Sequence, residues 1–327
     1  MSSLSLALPS KGRLQEQVVA YFADAGLHVK QTQGARGYAA SLSGVDGVNL
    51  TLLSASEIAS ALIAGQVHLG ITGEDLLAEA GAGSARVETI EKLGFGRADV
   101  VVAVPRAWID VATMADLDDV AHAFHGRHHR RLRVATKYLH LARDFFGSHG
   151  VSDYRIVESL GATEGAPAAG TAEVIVDITT TGATLEANHL KVLDDGVILE
   201  SQAVLGASLR AYWGTGVLNA AAALFARLSA RQLGKTSYIV RVPIDKSAGK
   251  ELTKIEATLG VRAIVPLASL AAGDDVALLV PRANLSAVVN ALRALGVRGA
   301  IATETADYVF LPDEPLLATL KRRLPKA

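Results

Sequence analysis

Short apolar runs, each ending in a polar or glycine-containing turn, recur along the first half of the chain. Leu4 to Leu8 is the first, closed by Pro9-Ser10-Lys11-Gly12-Arg13, and it predicts a strand, a turn and a helix from about Leu14 to Ala25. Val48 to Leu53 predicts a second strand, with Ser56 capping a helix that runs to about Ala64. Val67 to Thr72 predicts a third, ending in Thr72-Gly73-Glu74-Asp75 and opening another helix. Asp99 to Val104 reads as a buried strand stopped by Pro105, and Arg133 to Ala135, Arg155 to Val157 and Glu173 to Ile178 continue the pattern. Alternating strands and helices predict a parallel sheet, in which ligands gather at the C-terminal strand ends.

From Val217 to Leu233 an Ala/Leu face predicts a long helix, and Gly234-Lys235 marks a boundary after it. Beyond it the rhythm changes. Strands are predicted at Ser237 to Val242, Arg262 to Leu267, Val276 to Val280, Ala300 to Thr303 and Tyr308 to Leu311, with helices at Lys250 to Leu259 and Leu285 to Leu295. That is close to βαββαβ, a ferredoxin-like (ACT-like) unit with its last strand split or doubled.

The length of 327 residues predicts two or three domains. Half the residues are hydrophobic but only 5% are aromatic, so the core is built from Ala, Val, Leu and Ile, as in α/β proteins. A net charge of −1 gives no global field for nucleic acid or an anionic membrane, so an anionic substrate needs a local site. The absence of cysteine excludes disulfides, thiolate metal sites and a cysteine nucleophile. The N-terminus lacks a basic leader region and no apolar run reaches the roughly 18 residues of a membrane span, so the expectation is a soluble cytoplasmic protein. The His/Arg-dense stretch His122 to Arg133 offers no metal-ligand spacing and reads as a solvated surface element.

The most specific segment is Glu173 to Leu190, EVIVDITTTGATLEANHL. A strand delivers Asp177 to its end; Thr179, Thr180, Thr181 and Gly182 make the turn; Ala183 and Thr184 open a helix. Unpaired N–H groups at a helix start favour an anion, threonine hydroxyls add donors without charge, and glycine permits close approach. The pattern suits a phosphate monoester; an ordinary capped helix is the plainer reading. Asp177 is placed to accept bonds from sugar hydroxyls or to help hold a magnesium ion through water.

This segment resembles the phosphoribosyl pyrophosphate loop of phosphoribosyltransferases and, more narrowly, the ATP phosphoribosyltransferase signature. Glu164-Gly165-Ala166-Pro167 and Ala187-Asn188 fit that family, as do Leu6 to Arg13 (LALPSKGR), Gly70 to Leu76 (GITGEDL), Leu93 to Pro105 (LGFGRADVVVAVP) and Arg133 to Tyr138 (RVATKY), in family order. Three stretches depart from it. Ser54-Ala55-Ser56-Glu57 stands where an Arg-x-x-Asp pattern is common, so the role of that arginine does not carry over. Gly161-Ala162-Thr163 replaces a commoner Gly-Ser-Val, and Gly260 to Pro266 replaces a Ser-Pro-Thr stretch.

The resemblance implies a two-lobed core like a type II periplasmic binding protein, with lobe I at residues 1–93 and 190–230, lobe II at 94–189 and the active site in the cleft. Residues 235–327 would form the ferredoxin-like unit of regulatory type. The implied reaction is attack of N1 of ATP on C1 of phosphoribosyl pyrophosphate, the first step of histidine biosynthesis. Mg2+ would neutralise the leaving pyrophosphate, histidine would be an inhibitor, and the chain would form a homodimer or homohexamer. Within that frame Lys11 and Arg13 hold triphosphate or pyrophosphate, a solvated turn being the plainer reading, and Lys137 is a further phosphate candidate. Thr72, Gly73 and Glu74 line an adjacent strand end, Gly73 for its backbone and Glu74 as ligand or helix cap. Glu164 meets the ribose or the adenine amino group, or is solvated in its loop. Two rivals remain: a two-lobed binding protein without chemistry, and a nucleobase phosphoribosyltransferase. Pyrophosphate release only when ATP and phosphoribosyl pyrophosphate are both present excludes the first, and a panel of free bases excludes the second.

Overall fold

The computed structural model describes residues 3–31, 39–81, 83–243, 249–265, 275–297 and 299–324. They fall into two compact units, one drawn from 1–23, 27–220 and 319–327, the other from 24–26 and 221–318.

The first unit holds two sheets. Its elements in chain order are β1 (Leu4–Pro9), α1 (Gly12–Asp24), β2 (His28–Gln31), β3 (Ala39–Ser43), β4 (Val48–Leu53), α2 (Ala55–Ala64), β5 (Leu69–Gly73), α3 (Glu74–Glu79), α4 (Gly83–Arg86) and β6 (Val87–Lys92). Then come β7 (Asp99–Pro105), α5 (Met114–His128), β8 (Leu132–Thr136), α6 (Leu139–Ser148), β9 (Tyr154–Glu158), β10 (Val174–Thr179), α7 (Ala183–Ala187), β11 (Leu190–Leu199) and β12 (Ala203–Ser208). The helix α8 (Thr215–Thr236) follows and is divided between the two units at residue 221.

The first sheet is ordered β2-β3-β4-β1-β5-β12-β6 and the second β11-β7-β10-β8-β9. Each lobe repeats one plan. A central strand (β1 or β8) is flanked by parallel neighbours, β4 and β5 or β9 and β10. Beyond β5 and β10 lies an antiparallel strand that has crossed from the other lobe, β12 in lobe I and β7 in lobe II. This doubly crossed arrangement defines the type II periplasmic-binding-protein fold that was expected. The sheets are mixed and not purely parallel, because the two crossing strands enter reversed and β3 runs antiparallel to β2 and β4.

The strands of lobe II are nearly all small and aliphatic. Val100, Val102 and Val104 are fully buried against Met114, Leu117, Phe146 and Tyr138. The helices begin where side chains satisfy their free N–H groups. The cap of α2 is Ser54 and not Ser56: Ser54 Oγ accepts from Glu57 N while Glu57 Oε2 accepts from Ser54 N at 2.8 Å. Thr113 and Asp116 form the same box at α5. The His-rich stretch begins in the C-terminal half of α5, where His122 and His125 both face Asp153, and among the described residues no three His, Asp or Glu side chains cluster as a metal site.

One ion pair ties the starts of β8 and β10 together. Glu173 accepts from Arg133 Nη2 at 2.7 Å, from the Arg133 N–H at 2.8 Å and from Arg130 Nη2 at 3.1 Å. Burial alone would raise its carboxyl, but these donors outweigh it and hold the pKa at about 2, against an ordinary 4.5. A depressed carboxyl stabilises the fold above its unfolded pKa and ceases to as pH falls through the folded one. Glu173→Gln should therefore cost about 3 kcal/mol near neutral pH. Its stability gap from the native chain, read by denaturant unfolding, should close as pH falls from 4.5 towards 2. A gap independent of pH would show that the charge contributes nothing.

The second unit contains β13 (Ser237–Pro243), α9 (Gly249–Leu259), β14 (Arg262–Ala263), β15 (Asp275–Pro281), α10 (Leu285–Ala294) and β16 (Ala302–Glu304); α11 (Pro315–Arg323) ends the chain. The order β14-β15-β13-β16, antiparallel throughout, is the ferredoxin-like sheet that was expected. Two details differ. Tyr308 to Leu311 is not a strand: Val309 N donates to the Ala230 carbonyl, off the ladder, and a Cβ on Gly234 would meet the carbonyl oxygens of Ala306 and Asp307 at 2.6 Å. The strand expected at Arg262 to Leu267 is cut to two residues, and Pro266 and Leu267 lie outside the described residues.

Candidate active site

Each lobe has a topological switch point. In lobe I the chain passes from β4 on one side of β1 to β5 on the other, and in lobe II from β9 on one side of β8 to β10 on the other. Carboxyl ends of strands at such points are where open α/β sheets hold ligands.

In lobe II the turn after β10 is preformed. Thr179 Oγ1 accepts from Gly182 N at 2.9 Å, Thr180 Oγ1 donates to the Arg97 carbonyl at 3.0 Å, and Thr181 Oγ1 meets Ala183 N at 3.5 Å. Gly182 sits at φ 77°, a left-handed conformation that glycine adopts at no steric cost, and leads into α7, where Ala183 and Thr184 are exposed. Two of the threonines thus shape the loop, while Thr181 and Thr184 face outward.

Asp177 lies one turn of chain earlier and is half-buried. Burial raises its carboxyl above the usual aspartate range. The Ile178 N–H, at 2.8 Å, and the Lys137 ammonium and Thr163 hydroxyl pull it down, and Glu164 pushes it up. These effects place Lys137, at the end of β8, and Glu164, in the short 3-10 turn Thr163–Gly165, in one charged cluster around Asp177. The Lys137 ammonium rests 4.9 Å from the centre of the Tyr138 ring.

In lobe I, Lys11 and Arg13 are exposed just after β1, and the Lys11 charge reaches Glu57 in the first turn of α2. Thr72 is fully buried and gives its hydroxyl to the Ala55 carbonyl at 2.6 Å, so it holds β5 to α2. Gly73 has ordinary extended dihedrals, but a Cβ there would collide with Asp75 Oδ1. Glu74 does not cap its helix. It pairs with Lys92 at 2.9 Å through Oε1, while its Oε2 is buried without a partner among the described residues. Sequence reasoning passed over Asp75, Glu79, Tyr138 and Ser201. They join the lobes, and nothing in the spacing of residues 63 or 126 positions apart marks them as partners.

The site thus joins a two-lobed α/β core, a threonine–glycine turn at one switch point and exposed cations at the other. Comparison with known proteins gives the family. Residues 54–229 match the ATP phosphoribosyltransferase family model. The chain is 51% identical over 317 residues to the ATP phosphoribosyltransferase of Rhodopseudomonas palustris, covering 97% of each. It is equally identical over 321 residues to that of Nitrobacter winogradskyi, covering 98% of each. A solved ATP phosphoribosyl transferase (HisG:HisZ) complex from Thermotoga maritima shares the fold, with a TM-score of 0.53 at 23% identity over 69% of this chain and 95% of that one. The chain belongs to the ATP phosphoribosyltransferase family, transferases of the first step of histidine biosynthesis.

Proposed function

We propose that the chain joins ATP to phosphoribosyl pyrophosphate in the cleft between the switch points, with the residues just placed. Lobe II takes phosphoribosyl pyrophosphate. Its phosphate monoester sits on the turn Thr179 to Thr184, with Thr181, Thr184 and loop N–H groups as donors. Its ribose hydroxyls meet Asp177, with Glu164 beside it, and Lys137 faces a phosphate. Lobe I takes ATP, with Lys11 and Arg13 on phosphate and Glu74 offering its unpartnered Oε2 to a donor; an unfilled buried acceptor costs roughly 1–3 kcal/mol. The observation that carries this reading is the outward-facing Thr181–Gly182–Thr184 turn beside the Asp177–Lys137–Glu164 cluster.

Adenine N1 then bonds to C1 as the C1–O bond to pyrophosphate breaks. The chain contributes by holding two anions in line and offsetting the charge that grows on the leaving group, and no covalent nucleophile is required. The carboxylates of Asp177 and Glu164 fit magnesium, which binds through one or two carboxylates together with substrate phosphates. When bound, magnesium would neutralise pyrophosphate charge. Nucleobase transfer is the weaker reading, since lobe I carries free cations suited to a polyphosphate. No helix among the described residues is long and apolar enough to cross a membrane, and the biosynthetic family supports a cytoplasmic enzyme.

The test of the lobe I assignment is charge removal. Lys11→Ala and Arg13→Ala should each raise KM for ATP about ten-fold, the worth of one bond to a charged group, with Tm nearly unchanged because both are exposed. A variant that melts early with full activity would make these residues structural.

The second unit is read as regulatory. A cavity of about 440 Å³ lined by Glu256, Arg262, Leu279 and Phe310 offers both charges and apolar walls, as a free amino acid requires. Histidine is the proposed inhibitor. Ile264, Val265 and Phe310 are exposed apolar groups on this unit, which supports a homo-oligomer. Histidine should weaken substrate binding by a coupling of about 1–3 kcal/mol, and Arg262→Ala should abolish inhibition without altering uninhibited rates. Inhibition that persists in Arg262→Ala and competes with ATP would place histidine in the cleft.

A further inference from the structure

The lobes are joined by a carboxylate in an unusual position. Asp75, in the first turn of α3, is 5% exposed, and its partners Tyr138 and Ser201 are 0% and 3% exposed. Tyr138 Oη donates to Asp75 Oδ2 at 2.6 Å and Ser201 Oγ to Oδ1 at 2.9 Å, while Ser201 Oγ accepts from the Asp75 N–H at 3.0 Å. No salt-bridge cation pairs with Asp75 among the described residues. A buried carboxylate held only by neutral donors stabilises a fold poorly, so its value lies in the geometry it imposes.

That geometry links three parts of the molecule. Asp75 belongs to lobe I and Tyr138 to the β8–α6 corner of lobe II. Ser201 belongs to the crossover itself, where its carbonyl accepts from Ala98 N at 3.0 Å and its N–H donates to Asp99 Oδ1 at 3.2 Å. One helical turn beyond Asp75, Glu79 accepts from the His140 N–H at 3.0 Å and the Leu141 N–H at 3.0 Å, the free donors at the start of α6. Two of the three acidic side chains of α3, Asp75 and Glu79, thus grip the same corner of the other lobe. The helix α3 is the direct continuation of Gly73-Glu74, and Tyr138 follows Lys137 and carries its ammonium on the ring. The Tyr138–Asp75 bond therefore couples a lobe I substrate loop to a lobe II phosphate ligand.

We propose that Asp75, with Tyr138 and Ser201, forms a positioning latch that sets the spacing of the two half-sites, holding adenine N1 within reach of the ribosyl C1. The inference rests on the reading that each lobe carries one substrate. Each half-site is built from its own lobe, so loss of the latch should spare binding of either substrate alone and impair the step that needs both. Misplacement by about 1 Å costs up to a hundred-fold in rate.

The experiment uses the full chain. Tyr138→Phe, which removes one oxygen, and Asp75→Asn should each lower kcat about ten-fold or more, while the Kd of each single substrate by calorimetry stays within about two-fold. Adding Tyr138→Phe to Asp75→Asn should lower kcat by less than the product of the two single effects, because the Tyr138–Asp75 bond is common to both. Ser201→Ala serves as the second variant should Asp75→Asn fail to fold. An unchanged kcat with a lower Tm overturns the latch, as does a single-substrate Kd that weakens as much as kcat falls. Lys137→Ala separates the two hypotheses: an unaltered Kd for phosphoribosyl pyrophosphate there refutes the site assignment and not the latch.

Discussion

Gly182→Val should raise the Kd for phosphoribosyl pyrophosphate roughly a hundred-fold, the combined worth of two bonds to a charged group at about 1.5–3 kcal/mol each. Gly182 has φ 77° and a Cβ added to it meets no atom of the protein within 4 Å. The fold thus feels only the backbone strain of a β-branched residue in the left-handed region, about 1–2 kcal/mol. The free space is where the proposed phosphate lies, so binding suffers more than stability. Thr181→Ala and Thr184→Ala should each weaken the same ligand about ten-fold. Thr179→Ala acts differently, because its hydroxyl is spent on Gly182 N and its loss loosens the loop from within. Calorimetric titration decides: full affinity in Gly182→Val, Thr181→Ala and Thr184→Ala together removes the phosphate from this turn.

The readable parts of the sequence are those where one physical demand acts alone. Leu4 to Leu8, Val48 to Leu53 and Asp99 to Val104 read as core strands because aliphatic side chains dominate them and each strand lies inside its sheet. The strands β6 and β11 escaped because other demands are written over theirs. Val87–Lys92 buries only Val87 and Ile90 and carries Glu88, Glu91 and Lys92, as an edge strand does. In β11, Asp194-Asp195-Gly196 imitates a turn, yet Asp195 Oδ1 accepts from Met114 N at 2.8 Å and holds the start of α5 while the strand bulges past it. Tyr308 to Leu311 shows the converse, an apolar run that looks like a strand and spends its N–H on a helix carbonyl. Of the site, the residues within one strand–turn–helix unit were legible, since Asp177 to Thr184 is contiguous. The Lys137–Asp177–Glu164 cluster and the Asp75–Tyr138 bond exist only once lobe II is folded and joined to lobe I.

Asp177→Asn should cost roughly a hundred-fold in kcat/KM, again two bonds to a charged acceptor, and at the same time raise the melting temperature at neutral pH. Burial disfavours the charged carboxyl, and its pKa lies above the ordinary value of 3.8. An acid raised on folding favours the native state fully below its unfolded pKa, and that contribution is lost as pH rises through the folded one. Neutral pH therefore carries the full penalty of the buried charge, and the amide relieves it. The site accepts this instability in return for an ionised acceptor. The same logic fixes the pH profile. The carboxylate is the working form, so activity falls on the acid side at a pH above that of an ordinary aspartate. Lys137 lowers the Asp177 pKa and Glu164 raises it. Lys137→Met should move the acid limb to higher pH, and Glu164→Gln should move it to lower pH. Shifts of opposite sign at two residues 27 positions apart in the chain, converging on one carboxyl, are not produced by general loosening of the fold. Limbs that stay fixed in both variants would place the titrating group elsewhere and remove Asp177 from contact with the ribose.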